Sequence, residues 1–351
     1  MNTELLPIDT ETVDRTIGQL FPTQKVPGFS ELFGRLLSGE FATAEFAEII
    51  LETIRQSLFG GIKELRSVFI LALAMAFFFL LARSEKQGPA AEAGFFVTYL
   101  LTVSELFVQY RNSAQVVGNA LNALTEFLKV FLPVYCTGLA TAAGTGSATA
   151  FYGAAFFGIT AAGMVFEQLV LPLTGLYFMT AVFDRLFREE VLSRLAKLFL
   201  GAAGVLLKLC IGAILGIGSV RGMLAPSLDG LKRSGLMRAA GAIPVFGDLF
   251  DGATQTVLAA GGLVKNAIGA TGAVFVFLIC IFPALKLGVT CVLLKIGAAV
   301  LQPISDKRIG DCLEVSAKTH KMLFRILMYS MFLFLILILI FAAFTGIGGK
   351  N

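Results

Sequence analysis

Long apolar runs separated by short charged clusters set the pattern of the chain. Ile326 to Gly349 carries no charge, nor does Ala267 to Leu285. Val130 to Phe166 is one uncharged run, long enough for two passes. A bilayer core about 30 Å thick is crossed by about 20 apolar residues in a helix. Strands of a transmembrane barrel would alternate apolar and polar positions, whereas these runs are unbroken. Helices satisfy their backbone groups within one segment. The pattern therefore predicts an all-α, polytopic integral membrane protein of about 7–8 transmembrane helices, with a further re-entrant or interfacial helical segment.

The elements follow from the same pattern. Residues 1–66 form an amino-terminal amphipathic region, and 67–351 a multi-span membrane domain. Pro22, Pro27 and Gly28 break the first part of that region. From Thr43 to Arg66, the apolar residues Phe46, Ile49, Ile50, Ile54, Leu58 and Ile62 recur at helical spacing, with Glu45, Glu48, Glu52 and Arg55 between them. That is an amphipathic helix, resting on the membrane surface, on a partner or on the chain's own spans. Spans are expected near 66–82, 93–110, 121–143 and 150–166. A segment at 168–183 is either separate or a continuation of the fourth span. Further spans are expected near 198–219 and 322–347. Between these two, the region 267–302 contains Pro283 and Lys286 and reads as one broken helix or as a hairpin.

Residues 241–272, GAIPVFGDLFDGATQTVLAAGGLVKNAIGATG, fit neither a span nor a solvent loop. Pro244 interrupts helix entry. Asp248 and Asp251 suit a first helical turn, where the dipole favours negative charge. Thr254 and Thr256 add polar groups, and Gly247, Gly252, Gly261 and Gly262 allow close backbone approach. Lys265 and Asn266 mark entry to the next span. A re-entrant or interfacial helix, buried against other helices or lining water, accommodates this mixture. The stretch is the candidate subunit interface or conduit wall.

Composition sharpens the class. The 351 residues are 56% hydrophobic and 15% charged, too apolar for a water-soluble domain. The formal net charge of +4 does not point to nucleic acid, because basic residues in membrane proteins mark the cytoplasmic side. On that rule the loops DRLFREEVLSRLAK and ISDKRIGDCLEVSAKTHK are cytoplasmic. The basic stretch 220–240 conflicts with a single crossing after 198–219. With no Trp and only six Tyr, the 33 Phe carry the aromatic packing. Five scattered cysteines without CxxC spacing read as small buried hydrophobes, not as disulfides or metal ligands. Met1 to Leu20 has no basic start followed by an apolar core, so no signal peptide is expected in it.

Charges inside spans cost roughly 2.5–3.5 kcal/mol each on insertion scales. Glu105, Glu126, Lys129, Glu167, Lys208, Lys286 and Lys295 fall in or beside predicted spans. Glu126 and Lys129 are spaced to pair along one helix face. Snorkelling and structural pairing account for residues near span ends; a polar path or an intersubunit contact is the other reading. Gly212 and Gly216 form a GxxxG pair, a common helix-contact motif. GTGS at 144–147 lacks the lysine of a phosphate loop and reads as a tight turn. Asp248 and Asp251 lie on one short segment, unlike a catalytic dyad. The single histidine, His320, falls in a predicted basic loop. No catalytic residue, cofactor or metal is expected.

A resemblance rests on particular residues. The run SVRGMLAPSLDGLKRSGLMRAAGAIPVFGDLFDGATQTVLAAGGLVKNAIGATG closely resembles the stage III sporulation protein AE family. FPALK at 282–286, AAVLQPISDKRIGDCL at 298–313, and LPVY at 132–135 with GTGSATAFY continue the match across about 120–345. The resemblance implies a membrane subunit of the complex joining mother cell and engulfed forespore in spore-forming bacteria, acting as a transport or secretion-like channel. It implies insertion in the mother-cell membrane facing the forespore. The implied partners are other proteins of the stage III complex, including an ATPase and ring-forming subunits, together with the lipid bilayer, and homo-oligomerisation is compatible. The family brings no catalytic residues with it.

Overall fold

The computed structural model describes residues 10–22, 26–38, 43–82, 88–143, 145–186, 192–213, 216, 247–303 and 307–343, all in helices or short connections. The helices are α1 (Glu11–Leu20), α2 (Phe29–Ser38), α3 (Thr43–Ala82), α4 (Gly88–Ala143), α5 (Thr145–Val165), α6 (Leu171–Leu186), α7 (Ser193–Ala213), α8 (Gly247–Leu301) and α9 (Lys307–Ala343). The fold is all-α and polytopic. Among the described residues, five segments are long and apolar enough to cross a membrane: Ala93–Thr137, Ala155–Arg185, Ser193–Ala213, Asn266–Leu301 and Lys307–Ile338.

The helices are longer than the spans read from sequence. The amphipathic segment from Thr43 and the apolar run after Arg66 form one helix, α3. The expected spans at 93–110 and 121–143 are both parts of α4. Region 267–302 is neither broken nor a hairpin; α8 continues through Pro283, which only removes one ladder bond, to the Ile279 carbonyl. At 1.5 Å per residue, α4 and α8 are each over about 80 Å long, more than twice a bilayer core of about 30 Å.

α5 and α6 form one run joined by a π turn, Phe166–Val170, in which the Leu171 N–H reaches the Phe166 carbonyl five residues back. Pro172 explains the widening: it has no N–H to give, and its ring clashes with a carbonyl in the α register. The 150–166 and 168–183 segments are thus continuous, and one crossing candidate covers both. α5 folds back along α4, since Asn122 donates to the Glu167 carboxylate at 3.1 Å and Gly163 faces Thr125. α4 ends at Ala143 and α5 begins at Thr145, so Thr145, Gly146 and Ser147 of GTGS belong to the first turn of α5 and not to a turn between helices.

α8 and α9 form the central antiparallel hairpin. The most apolar windows of these two helices are 61% and 56% buried, against 17% for α7, which places α7 at the periphery. Their core joins α4 through stacked or tilted rings. Phe127, Phe131 and Phe275 have centroids 5.5–5.9 Å apart along Phe131–Phe127–Phe275, and Tyr135 extends the row 5.8 Å from Phe131. The small helices α1 and α2 close one side of this core. Phe29 of α2 is fully buried 6.0 Å from Phe131 and 6.1 Å from Phe275, and Phe21 sits edge-on to Phe282 at 5.8 Å. The Asp14 carboxylate accepts from the Ser30 N–H at 3.3 Å and from the Ser30 hydroxyl, capping the start of α2. Close approach explains two glycines: the Phe131 ring fills the space a Gly272 Cβ would need, and Phe69 does the same at Gly297.

One end of the bundle gathers several helix termini. Arg185 of α6 pairs with Asp311 of α9 at 3.2 Å, and Arg308 lies 5.8 Å over the Phe95 ring of α4. Gly94 abuts Phe78 near the end of α3. Asp184 accepts the Leu192 N–H at 2.6 Å, capping the entry to α7. The two loops assigned to the cytoplasm by their basic residues therefore leave and enter at this same end.

Candidate functional site

The stretch singled out in sequence is only partly within view. Pro244 and the rest of 241–246 lie outside the described residues. Gly247, Asp248, Asp251, Gly252, Thr254, Thr256, Gly261, Gly262 and Lys265 all lie along the first turns of α8. That helix runs straight on through Asn266, which is exposed, into the apolar segment. The backbone thus gives no boundary at Lys265–Asn266; the change there is in polarity alone.

A second set of polar groups lies inside the bundle, between α4 and α9. These two helices run parallel, bridged by Tyr99 and Cys312 at 3.3 Å and by Ser113 and His320 at 3.0 Å. His320 is fully buried in α9 and does not lie in a loop, because α9 begins at Lys307, well before the span expected at 322. Its Nδ1 lies 2.8 Å from the Ser316 carbonyl. A carbonyl only accepts, so Nδ1 carries the proton, and neutral Nε2 then accepts from the Ser113 hydroxyl. Between the two bridges, the buried Gln109 amide and the Ser316 hydroxyl have no partner among the described residues. All five thiols are free, and Cys280, Cys291 and Cys312 are buried.

A further polar feature is on the outside of α4. Arg111, Gln115, Asn119, Asn122, Glu126 and Lys129 are all exposed and follow one another at spacings of three and four, so they share one face. The opposite face is anchored by the buried Val117, Leu121, Leu124, Phe127 and Leu128, which fixes the direction of the polar one. Glu126 and Lys129 share this face, yet no ion pair joins them; Asn122 instead holds Glu167 from the π turn. Along the same line toward the amino terminus the exposed residues are Val97, Leu101, Ser104 and Val108, mostly apolar. From Arg111 to Lys129 the polar run covers about 27 Å at 1.5 Å per residue. Its charges, if turned to lipid, would cost roughly 2.5–3.5 kcal/mol each. Sequence reading picked out Glu126 and Lys129 but not the stripe; its signal was the repeat of Arg, Gln, Asn and Glu every three or four residues.

The other intramembrane charges have simpler settings. Glu105 takes a hydrogen bond from the Ser67 hydroxyl. Lys286 donates to Glu64 at 2.6 Å, beside an open pocket of 320 Å³ between α3 and α8 that includes Thr53, Gln56 and Pro283. Lys208 and Lys295 are exposed. Gly201, Gly204, Gly212 and Gly216 of the α7 region have no close neighbour among the described residues, so the GxxxG pair makes no close contact with a described helix.

Comparison with known proteins agrees with the residues that suggested a family. The sequence profile of the stage III sporulation protein AE family matches residues 29–345. The stage III sporulation protein AE of Bacillus subtilis (strain 168) is 26% identical over 309 residues, covering 86% of this chain and 76% of the relative. No solved structure matches the chain.

Proposed function

Because the chain belongs to the stage III sporulation protein AE family, we propose that its part in sporulation is as a membrane subunit of a channel or secretion-like complex. That complex links mother cell and forespore and is required for forespore development. The chain sits in the mother-cell membrane facing the forespore and works with an ATPase and ring-forming subunits; it carries out no catalysis itself. The observation that carries this reading is the polar face of α4, set on a helix with apolar, membrane-length segments. A passive scaffold has no need of an outward polar stripe at that place. A stand-alone permease would enclose its path, whereas here the aromatic cluster fills the centre and the polar face points outward.

The test is deletion of the gene and recovery of the tagged full-length chain from sporulating membranes. Deletion is expected to stop spore development after engulfment, and the tagged chain to bring down other stage III proteins. Normal spores without it, or a chain that purifies alone, would overturn the role.

A further inference from the structure

Inside the seam between α4 and α9, one level of polar groups makes no direct bond across it. The helices run parallel, and Ser113 meets His320 at 3.0 Å. Gln109 lies four residues before Ser113 on α4, and Ser316 four residues before His320 on α9. Residues four apart share a helix face. Gln109 and Ser316 therefore stand at one level, about 6 Å along the seam from the first pair at helical rise. The two pairs mirror each other in reach. Short Ser113 meets long His320, and long Gln109 comes opposite short Ser316. Gln109 is only 7% exposed and Ser316 is fully buried. Its amide oxygen, its amide nitrogen and the Ser316 hydroxyl are all closed to solvent and without a partner among the described residues.

We infer that this level of the seam binds one ordered water molecule, held by Gln109 and Ser316. The count of donors and acceptors identifies the ligand. The Gln109 Nε2 donates, Oε1 accepts, and the Ser316 hydroxyl does either. A water accepts from Nε2–H, gives one hydrogen to Oε1 and gives the other to the Ser316 Oγ. A buried water usually makes about three bonds of this kind to protein groups that lack another partner. A bare cation serves the two oxygens but sets its charge against the Nε2–H donors. Apolar packing serves none of the three and leaves each desolvated without a bond. The Ser316 carbonyl already accepts from His320 Nδ1. With the water, the bonds run in one circuit: Gln109, water, Ser316, His320, Ser113, and back along one turn of α4. Bonds through water are nearly as favourable as direct ones. The circuit ties α4 to α9 on two successive turns, and a slip of either helix by one turn breaks both ties.

Pulsed radiolysis of the full-length chain in detergent tests this. Hydroxyl radicals formed from a bound water oxidise reactive side chains beside it faster than those in dry surroundings. Cys312 lies one turn from Ser316, and Cys280, on α8, is the buried control. Cys312 is expected to oxidise several-fold faster than Cys280. Gln109→Leu is expected to remove that excess. Ser316→Ala, which keeps the carbonyl bond to His320, takes its place if Gln109→Leu lowers the yield of folded chain. Equal rates for Cys312 and Cys280 in the unaltered chain overturn the site. So does an excess that survives the folded variant. The thermal midpoint is also read with sodium and potassium replaced by choline. No change is expected. A fall in the unaltered chain that is absent in Ser316→Ala assigns the site to a cation and overturns the water.

Discussion

At the residue scale, the most constrained position is Gly272. The ring of Phe131 occupies the site of its missing Cβ, and Phe131 is itself held by Phe29, Phe127 and Tyr135. A packed ring cannot yield as a flexible side-chain end does. Gly272→Ala is expected to destabilise the fold by about 1–3 kcal/mol through overpacking, seen as a lower thermal midpoint in detergent. An unchanged midpoint would mean the α4–α8 approach is looser than described. His320→Ala removes both its bonds and leaves the buried Ser113 hydroxyl unpaired, a loss of about 1–3 kcal/mol. Ser113→Ala is expected to cost less, because the Ser316 carbonyl still orients the ring. Equal losses for the two variants would contradict that ordering. His320 was illegible as a buried residue because Lys318 and Lys321 flank it and suggest a loop. The legible signal was the spacing of Cys312, Ser316, His320 and Leu323, all buried at intervals of three or four.

At the element scale, α2 is a small amphipathic helix that buries Phe29, Leu32 and Phe33. Phe29→Ala empties the space between Phe131 and Phe275 and is expected to cost about 3–5 kcal/mol. Limited proteolysis should then cut between α2 and α3 well before the bundle itself is attacked; protection equal to wild type would place the anchor elsewhere. The unbroken apolar runs made the helices legible in sequence, but not their lengths. The stretch 111–120, RNSAQVVGNA, rich in Asn and Gln, falls between the expected spans 93–110 and 121–143. It is helical because Val117, Leu121, Leu124 and Leu128 bury its other side. Its polarity marks a face, not a break. The α5–α6 continuity was open for a similar reason: Pro172 suggests a stop, and the π turn absorbs it. The stretch around Asp248 and Asp251 differs from a span in polarity, and its helix joins the apolar part of α8 without interruption.

At the scale of the whole molecule, the termini of α4, α6, α8 and α9 that meet around Arg185, Arg308 and Asp311 define one end of the bundle. The clustering of basic residues in the adjoining loops predicts that this end is cytoplasmic. Cysteines placed at Ser193 and Lys307 should react from the same side, the cytoplasmic one, in inverted membrane vesicles; reaction from opposite sides would break the shared end. Membrane character and family were legible in sequence, the first from apolar length and the second from long specific runs near residues 241–272 and 298–313. The outward direction of the α4 stripe was not, since it depends on which helices pack against the opposite face. The central claim is that this stripe is what the chain brings to sporulation. Replacing Asn119, Asn122 and Glu126 together by Leu leaves the buried face of α4 untouched. Spore yield should then collapse while the amount of membrane-inserted protein stays at the wild-type level. Wild-type spore yield from that triple variant would contradict the claim.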